Sequence, residues 1–210
     1  MQDYDFSDRV VLVTGARGNL GRAVVEAFHA GGCRVIAVDY ATEKMAAIFP
    51  ALAGLPGVYL AEGVDVTDPD QTQDLVRASL DRFGRIDILV NTVGGYRAGT
   101  PVHETPLETW DYMMNLNARS AFIVSRAVIP HMLSQGGGRI INIASSAALK
   151  GSANSAAYSA AKSAVARLTE SMSAEYKRQG ITVNAIIPGT IDTPENREAM
   201  PSADYSLWVA

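Results

Sequence analysis

Cysteine is almost missing from this chain: Cys33 is the single one in 210 residues. An internal disulfide is therefore excluded, which fits a reducing compartment. Histidine is nearly as scarce. His29, His103 and His131 have no partner spacing suited to a metal site, so all three read as structural and no metal is expected. Basic residues are in the minority, 18 Lys and Arg against 22 Asp and Glu, for a net charge of -4, which argues against a nucleic-acid partner. No apolar run approaches the about 18 residues needed to cross a bilayer. The segment Met1-Gln2-Asp3-Tyr4-Asp5 is acidic where a signal peptide is basic. A cytoplasmic protein without a membrane partner is the expectation. There is also no internal repeat and no shift of composition, so residues 1–210 read as one domain, and 48% hydrophobic with 19% charged residues is an ordinary globular balance.

What is present is an alternation of short β-branched runs with longer stretches of helical period. The runs are Val10–Val13, Arg34–Val38, Val58–Ala61, Ile86–Val90, Arg139–Ile143 and Thr182–Ile187. Each is separated from the next by enough residues for a crossover helix. Apolar, non-alternating strands joined in this way predict a doubly wound α/β fold, a parallel sheet of at least six strands with helices on both faces. Asp68-Pro69 reads as the start of a helix running to Phe83 and stopping at Gly84. A long Ala/Ser-rich helix is expected from about Ser155 to Gln179, with Lys177-Arg178 in its last turn and Gly180 beyond. A further helix is expected from about Leu107 to Met132.

Directly after the first strand comes Thr14-Gly15-Ala16-Arg17-Gly18-Asn19-Leu20-Gly21, and then an apolar helix from Arg22. In that setting Gly15 permits a tight turn, Gly18 lets backbone approach a pyrophosphate, and Gly21 lets helix and sheet pack closely. The second strand ends at Asp39, 24 residues after Gly15, where an acid accepts hydrogen bonds from an adenosine ribose. A carboxylate there repels the extra phosphate of NADP. Arg17 pulls the other way, since a guanidinium can pair with that phosphate, with Asp39, or with neither. NAD is the expected cofactor, with NADP left open.

Tyr158 and Lys162 stand four residues apart on the long helix and share a face. An ammonium beside a phenol favours the phenolate, which lets Tyr158 exchange protons with a substrate alcohol. Ser145 follows the fifth strand at the carboxyl edge of the sheet, where its hydroxyl can hold a carbonyl oxygen. Tyr96, in Gly94-Gly95-Tyr96-Arg97 after the fourth strand, is either one wall of the substrate pocket or an exposed loop aromatic. Cys33 reads as a small buried side chain rather than a nucleophile.

Over nearly its whole length the chain resembles the short-chain dehydrogenase/reductase family. The Thr14-Gly15 turn, Asp65-Val66, Asn91-Thr92-Val93-Gly94, Asn117, Ser145, Tyr158-x-x-x-Lys162 and Pro188-Gly189 follow the family's order. The resemblance implies that Ser145 orients the substrate oxygen, Tyr158 is general acid/base, and Lys162 assists the phenol and binds the nicotinamide ribose. It further implies that Asn117 anchors a proton-relay water. By the same resemblance Asp65 and Val66 lie at the adenine, Asn91 and Gly94 along the adenosine side, Pro188 and Gly189 in the cofactor site, and Ile191 and Thr193 at the nicotinamide carboxamide. The stretch around Trp110-Asp111 and Asn117-Ala118-Arg119 is similar to that of 3-oxoacyl reductases and related alcohol dehydrogenases, implying a carbonyl or secondary alcohol substrate. A homodimer or homotetramer is implied as well, built on the long helix with Ala157, Ala160, Ala161 and Ala164 and on the helix from Leu107.

The chain departs from the family pattern twice. Asn19 occupies the position where the branch with these catalytic residues usually has its second glycine, and Gly18 gives the spacing of sugar-nucleotide epimerases. Family members also continue through a further helix and a seventh strand, so the resemblance implies a shortened carboxyl end. Residues 194–206 are mostly polar and contain Pro194 and Pro201, with apolar Leu207, Trp208 and Val209 after them, and 194–210 are then expected to be a mobile substrate flap. Two other readings stay open at this point: a non-catalytic dinucleotide-binding regulatory protein or inactive fragment, and an epimerase.

Overall fold

A computed structural model describes residues 6–42 and 44–209; the acidic segment at residues 1–5 and Ala210 lie outside the described residues. Six strands alternate with helices. They are β1 (Val10–Thr14), β2 (Arg34–Val38), β3 (Val58–Ala61), β4 (Ile88–Asn91), β5 (Gly138–Ile143) and β6 (Ile181–Ile186). All pair in parallel in the order β3-β2-β1-β4-β5-β6. The order reverses direction between β1 and β4, and ligands of doubly wound sheets sit at that point, beyond the carboxyl ends of the strands.

The helices are α1 (Asn19–Ala30), α2 (Met45–Ile48), α3 (Pro69–Phe83), α4 (Leu107–Met113), α5 (Ser120–Ser134), α6 (Ala156–Tyr176) and α7 (Pro194–Ala199). Asp68 caps α3 by accepting from the backbone N–H of Asp70 and Gln71, and Gly84 ends it in the left-handed region at φ 74°. Gly180, at φ 79°, follows the final turn after α6 in the same way. Two apolar layers cover the sheet, one containing Leu12, Ile36, Leu89, Val124 and Ile140, the other Val11, Val13, Val35, Ala37 and Val90. Both faces of the central strands are thus dry, which is why they read as unbroken apolar runs.

Three expectations need correction. The first helix begins at Asn19 rather than Arg22, because Gly18 is the last residue with extended backbone. The fourth strand begins at Ile88: Asp87 instead turns its carboxylate back to accept from Arg9, Arg85 and the Val10 backbone N–H. The stretch from Leu107 is one rod in three parts, α4 and α5 joined by a π-helical turn over Met114–Arg119. Of the four α6 alanines, Ala157 and Ala161 are buried against Met113 of the same chain, so Ala160 and Ala164 alone are left partly open.

β6 is an edge strand on which exposed and buried residues alternate at first, with Ile186 exposed at its end. Beyond it Ile191 and Val209 form a parallel bridge, and α7 lies in the loop between them. No helix among the described residues is long and apolar enough to cross a membrane.

Candidate active site

The turn between β1 and α1 is shaped by its glycines. Gly15 has φ 64°, and a Cβ there would stand 3.1 Å from the Val93 backbone nitrogen. A Cβ on Gly21 would run into the Gly15 carbonyl oxygen, so close packing of helix on turn demands glycine. Gly18 donates its N–H to the Gly15 oxygen at 3.1 Å and bares backbone to the cleft. α1 has no side-chain cap, so its first N–H groups are left for an anion.

Asp39 stands opposite. One carboxylate oxygen accepts from the Arg17 backbone N–H at 3.1 Å and the other from the Ala41 N–H at 3.0 Å. Arg17 therefore meets Asp39 through its backbone, not its guanidinium. With Asp65, Val66 and Thr67 these residues line a cavity of about 680 Å³. Asp65 is held by accepting from both the N–H and the hydroxyl of Thr67.

A second cavity, of about 590 Å³, adjoins the first across Gly15, Gly18, Thr92 and Gly94. Ser145, Tyr158, Lys162, Pro188, Gly189, Ile191 and Thr193 all line it. Lys162 is buried, and its Nζ donates to the Ile143 carbonyl oxygen at 2.9 Å. Burial pushes its amine down to about 8, since a low-dielectric site disfavours the charged form. The Tyr158 hydroxyl makes no hydrogen bond among the described residues, and the ring of Tyr96 meets its ring nearly perpendicularly at 4.9 Å. Ser145 accepts from the Ala147 N–H at 3.2 Å, leaving its own proton to donate.

Asn117 is buried in the π-helical turn. Its amide clamps Gly95, accepting from the N–H and donating to the carbonyl, both at 3.2 Å, and also donates to the Met113 carbonyl. A Cβ on Gly94 would come within 2.8 Å of Asn117 Oδ1 and 3.1 Å of Lys162 Nζ, so these two polar groups converge on the backbone of one loop. Single π turns often mark functional sites because they re-aim the side chains around them.

Two predicted residues line neither cavity: Asn117, which meets the cleft only through the loop it clamps, and Asn91. The Asn91 amide is buried, donates to Asn142 and Ser125, and lies off the cleft. Its neighbour Thr92 lines both cavities instead and donates to the Thr14 carbonyl. The strand period of two carried a signal for that exchange, since adjacent strand residues face opposite ways. Asn196 and Met200 also reach the second cavity; no spacing in the sequence marks them. Cys33 is buried, and desolvation, with the Asp87 charge second, pushes its thiol up to about 11, so it is inert. No group of three potential metal ligands occurs among the described residues.

The family model for short chain dehydrogenases matches residues 9–203. The 2-(R)-hydroxypropyl-CoM dehydrogenase of Xanthobacter autotrophicus is 39% identical over 189 residues, 89% of this chain and 76% of that one. The 3-oxoacyl-[acyl-carrier-protein] reductase of Synechocystis sp. is 39% identical over 201 residues, 94% of this chain and 81% of its own. A Burkholderia xenovorans crystal structure described as a short-chain dehydrogenase/reductase superposes with TM-score 0.84 at 34% identity, covering 94% of this chain and 77% of that one.

Proposed function

This chain belongs to the short-chain dehydrogenase family of NAD(P)-dependent oxidoreductases, and on that premise we propose that it interconverts a secondary alcohol and a carbonyl with NAD as its preferred cofactor. The observation that carries the reading is the convergence of Ser145, Tyr158 and Lys162 on one cavity that continues into the glycine turn.

The residues fit a dinucleotide. Gly15, Gly18 and Gly21 keep the turn clear of side chains, α1 presents free N–H groups, and Asp39 offers the lone pairs left on its carboxylate. A 2′-phosphate beside Asp39 meets like charge, which disfavours NADP. Asp65 and Val66 line the adenine end, while Pro188, Gly189, Ile191 and Thr193 wall the nicotinamide end. When bound, the nicotinamide supplies the hydride chemistry.

The protein's part is to hold the substrate oxygen and move one proton. Ser145 donates its hydroxyl proton to that oxygen, polarising it in the direction of reduction. Tyr158 gives its phenolic proton to the same oxygen, or takes it during oxidation. Lys162, held by the Ile143 carbonyl, sets a positive charge near the phenol and reaches the ribose. Asn117 clamps the Gly94-Gly95 loop, which lines the site, and is assigned the relay water. Tyr96, edge to face with Tyr158, forms a substrate wall. The names of the two relatives, one a 2-(R)-hydroxypropyl-CoM dehydrogenase and one a 3-oxoacyl-[acyl-carrier-protein] reductase, support an alcohol or carbonyl substrate.

We also propose a homodimer through the groove of about 730 Å³ between the α4–α5 rod and α6, floored by Tyr112, Phe122, Ala164 and Leu168. For the activity, following NADH absorbance over a panel of ketones and secondary alcohols tests the reading. Turnover of at least one such pair supports it, and cofactor binding without turnover of any would favour a regulatory protein instead.

A further inference from the structure

Residues 190–209 close on themselves. The Val209 N–H donates to the Thr190 carbonyl at 2.8 Å and the Asp192 N–H to the Val209 carbonyl at 2.7 Å, which pins the two ends together. Inside the loop Arg197 grips Asp192 with two hydrogen bonds, of 2.6 and 2.7 Å, and lies 4.7 Å from the centre of the Tyr205 ring. Tyr205 in turn packs on Trp208, with ring centres 4.7 Å apart. The loop therefore holds its own shape and moves, if it moves, as a unit on the stem at Thr190 and Val209.

One hydrogen bond ties this loop to the rest of the described chain: Asn19 Nδ2 donates to Glu195 Oε2 at 2.7 Å, across 176 residues of sequence. Asn19 is the first residue of α1 and lines the cavity holding Tyr158 and Lys162. It is also the position where the family pattern leads one to expect glycine. A glycine has no side chain to reach Glu195, so the departure and the contact belong together.

We propose that Asn19 and Glu195 form a clasp that holds the loop shut over the glycine turn and opposes entry of the cofactor. This rests on the dinucleotide reading of the cleft. The diphosphate of a dinucleotide is drawn to the first turn of α1 by its free N–H groups. The clasp sets a carboxylate at that turn, so like charges meet and the loop lies across the way in. Glu195 is an affinity-determining residue here rather than a catalytic one.

Two variants separate charge from tether. Glu195→Gln keeps an oxygen for Asn19 and removes the charge; Glu195→Ala removes both. Each residue change is on exposed α7, away from the core. Titration with NADH by fluorescence should show about three- to tenfold tighter binding in both, the size of one carboxylate acting on a diphosphate through water. In the cofactor-free protein, trypsin should cut after Arg197 several times faster in Glu195→Ala than in wild type, because the loop is released. Binding no tighter than wild type in either variant, or cleavage unchanged in Glu195→Ala, overturns the clasp. If wild type binds NADH and the variants match it, the clasp alone fails. If none of the three proteins binds NADH or NADPH, the dinucleotide reading fails and the clasp falls with it.

Discussion

Lys162 Nζ and the Ile143 carbonyl oxygen lie 2.9 Å apart, joining the first turns of α6 to the last residue of β5. Because Ser145 follows two residues after Ile143 and Tyr158 precedes Lys162 by one turn, this bond brings the two halves of the proposed catalytic apparatus together. The ammonium is buried for the purpose, at a cost in stability that the pH dependence of unfolding exposes.

The buried amine sits at about 8 in the folded protein against 10.5 for an ordinary lysine. The unfolded chain thus binds the extra proton between those values, so the contribution of Lys162 to stability should rise with pH from 8 to 10.5. The gain is about 3 kcal/mol across that window. Urea midpoints against pH check it: wild type should gain on Lys162→Met as pH falls toward neutral only if the account is wrong, and lose ground if it is right. The same substitution should weaken NADH binding, since the lysine is proposed to hold the ribose as well.

Asp39→Ala should narrow the preference for NAD over NADP, about tenfold or more, by lifting the repulsion of the 2′-phosphate. Titrating both cofactors against both proteins measures it. Tighter NADP binding by the unaltered protein would mean that the Arg17 guanidinium outweighs the carboxylate.

Much of this arrangement is legible in the sequence. Strand–turn–helix placement of Gly15, Gly18 and Gly21 depends on local backbone demands, and the four-residue step from Tyr158 to Lys162 is a property of any helix. Boundaries were legible where a local cap decides them, as at Asp68 and Gly84, both ends of α3. They were not where a distant group decides: Asp87 leaves β4 to hold the Val10 N–H. The opposite facing of Asn91 and Thr92 follows from the strand period, whereas the partner that holds Asn91, Asn142, lies on the neighbouring strand. The contact of Asn19 with Glu195 joins residues 176 apart and has no trace in spacing.

Phe122, Trp110 and Tyr112 are 49, 42 and 40% exposed on the α4–α5 rod, an apolar surface of the kind that marks an interface. Sedimentation at micromolar concentration should show a dimer, and Phe122→Asp should shift it to monomer with the fold retained by circular dichroism. A wild-type monomer would remove the proposed interface.

The central claim is that Tyr158 carries the proton. In Tyr158→Phe the ring and its packing on Tyr96 are kept while the hydroxyl is lost. On whichever alcohol or ketone the wild type turns over, kcat should fall by at least about 100-fold, with the dissociation constant for NADH within about twofold of wild type, a difference of less than about 0.5 kcal/mol. Turnover retained in Tyr158→Phe alongside normal NADH binding would contradict the account.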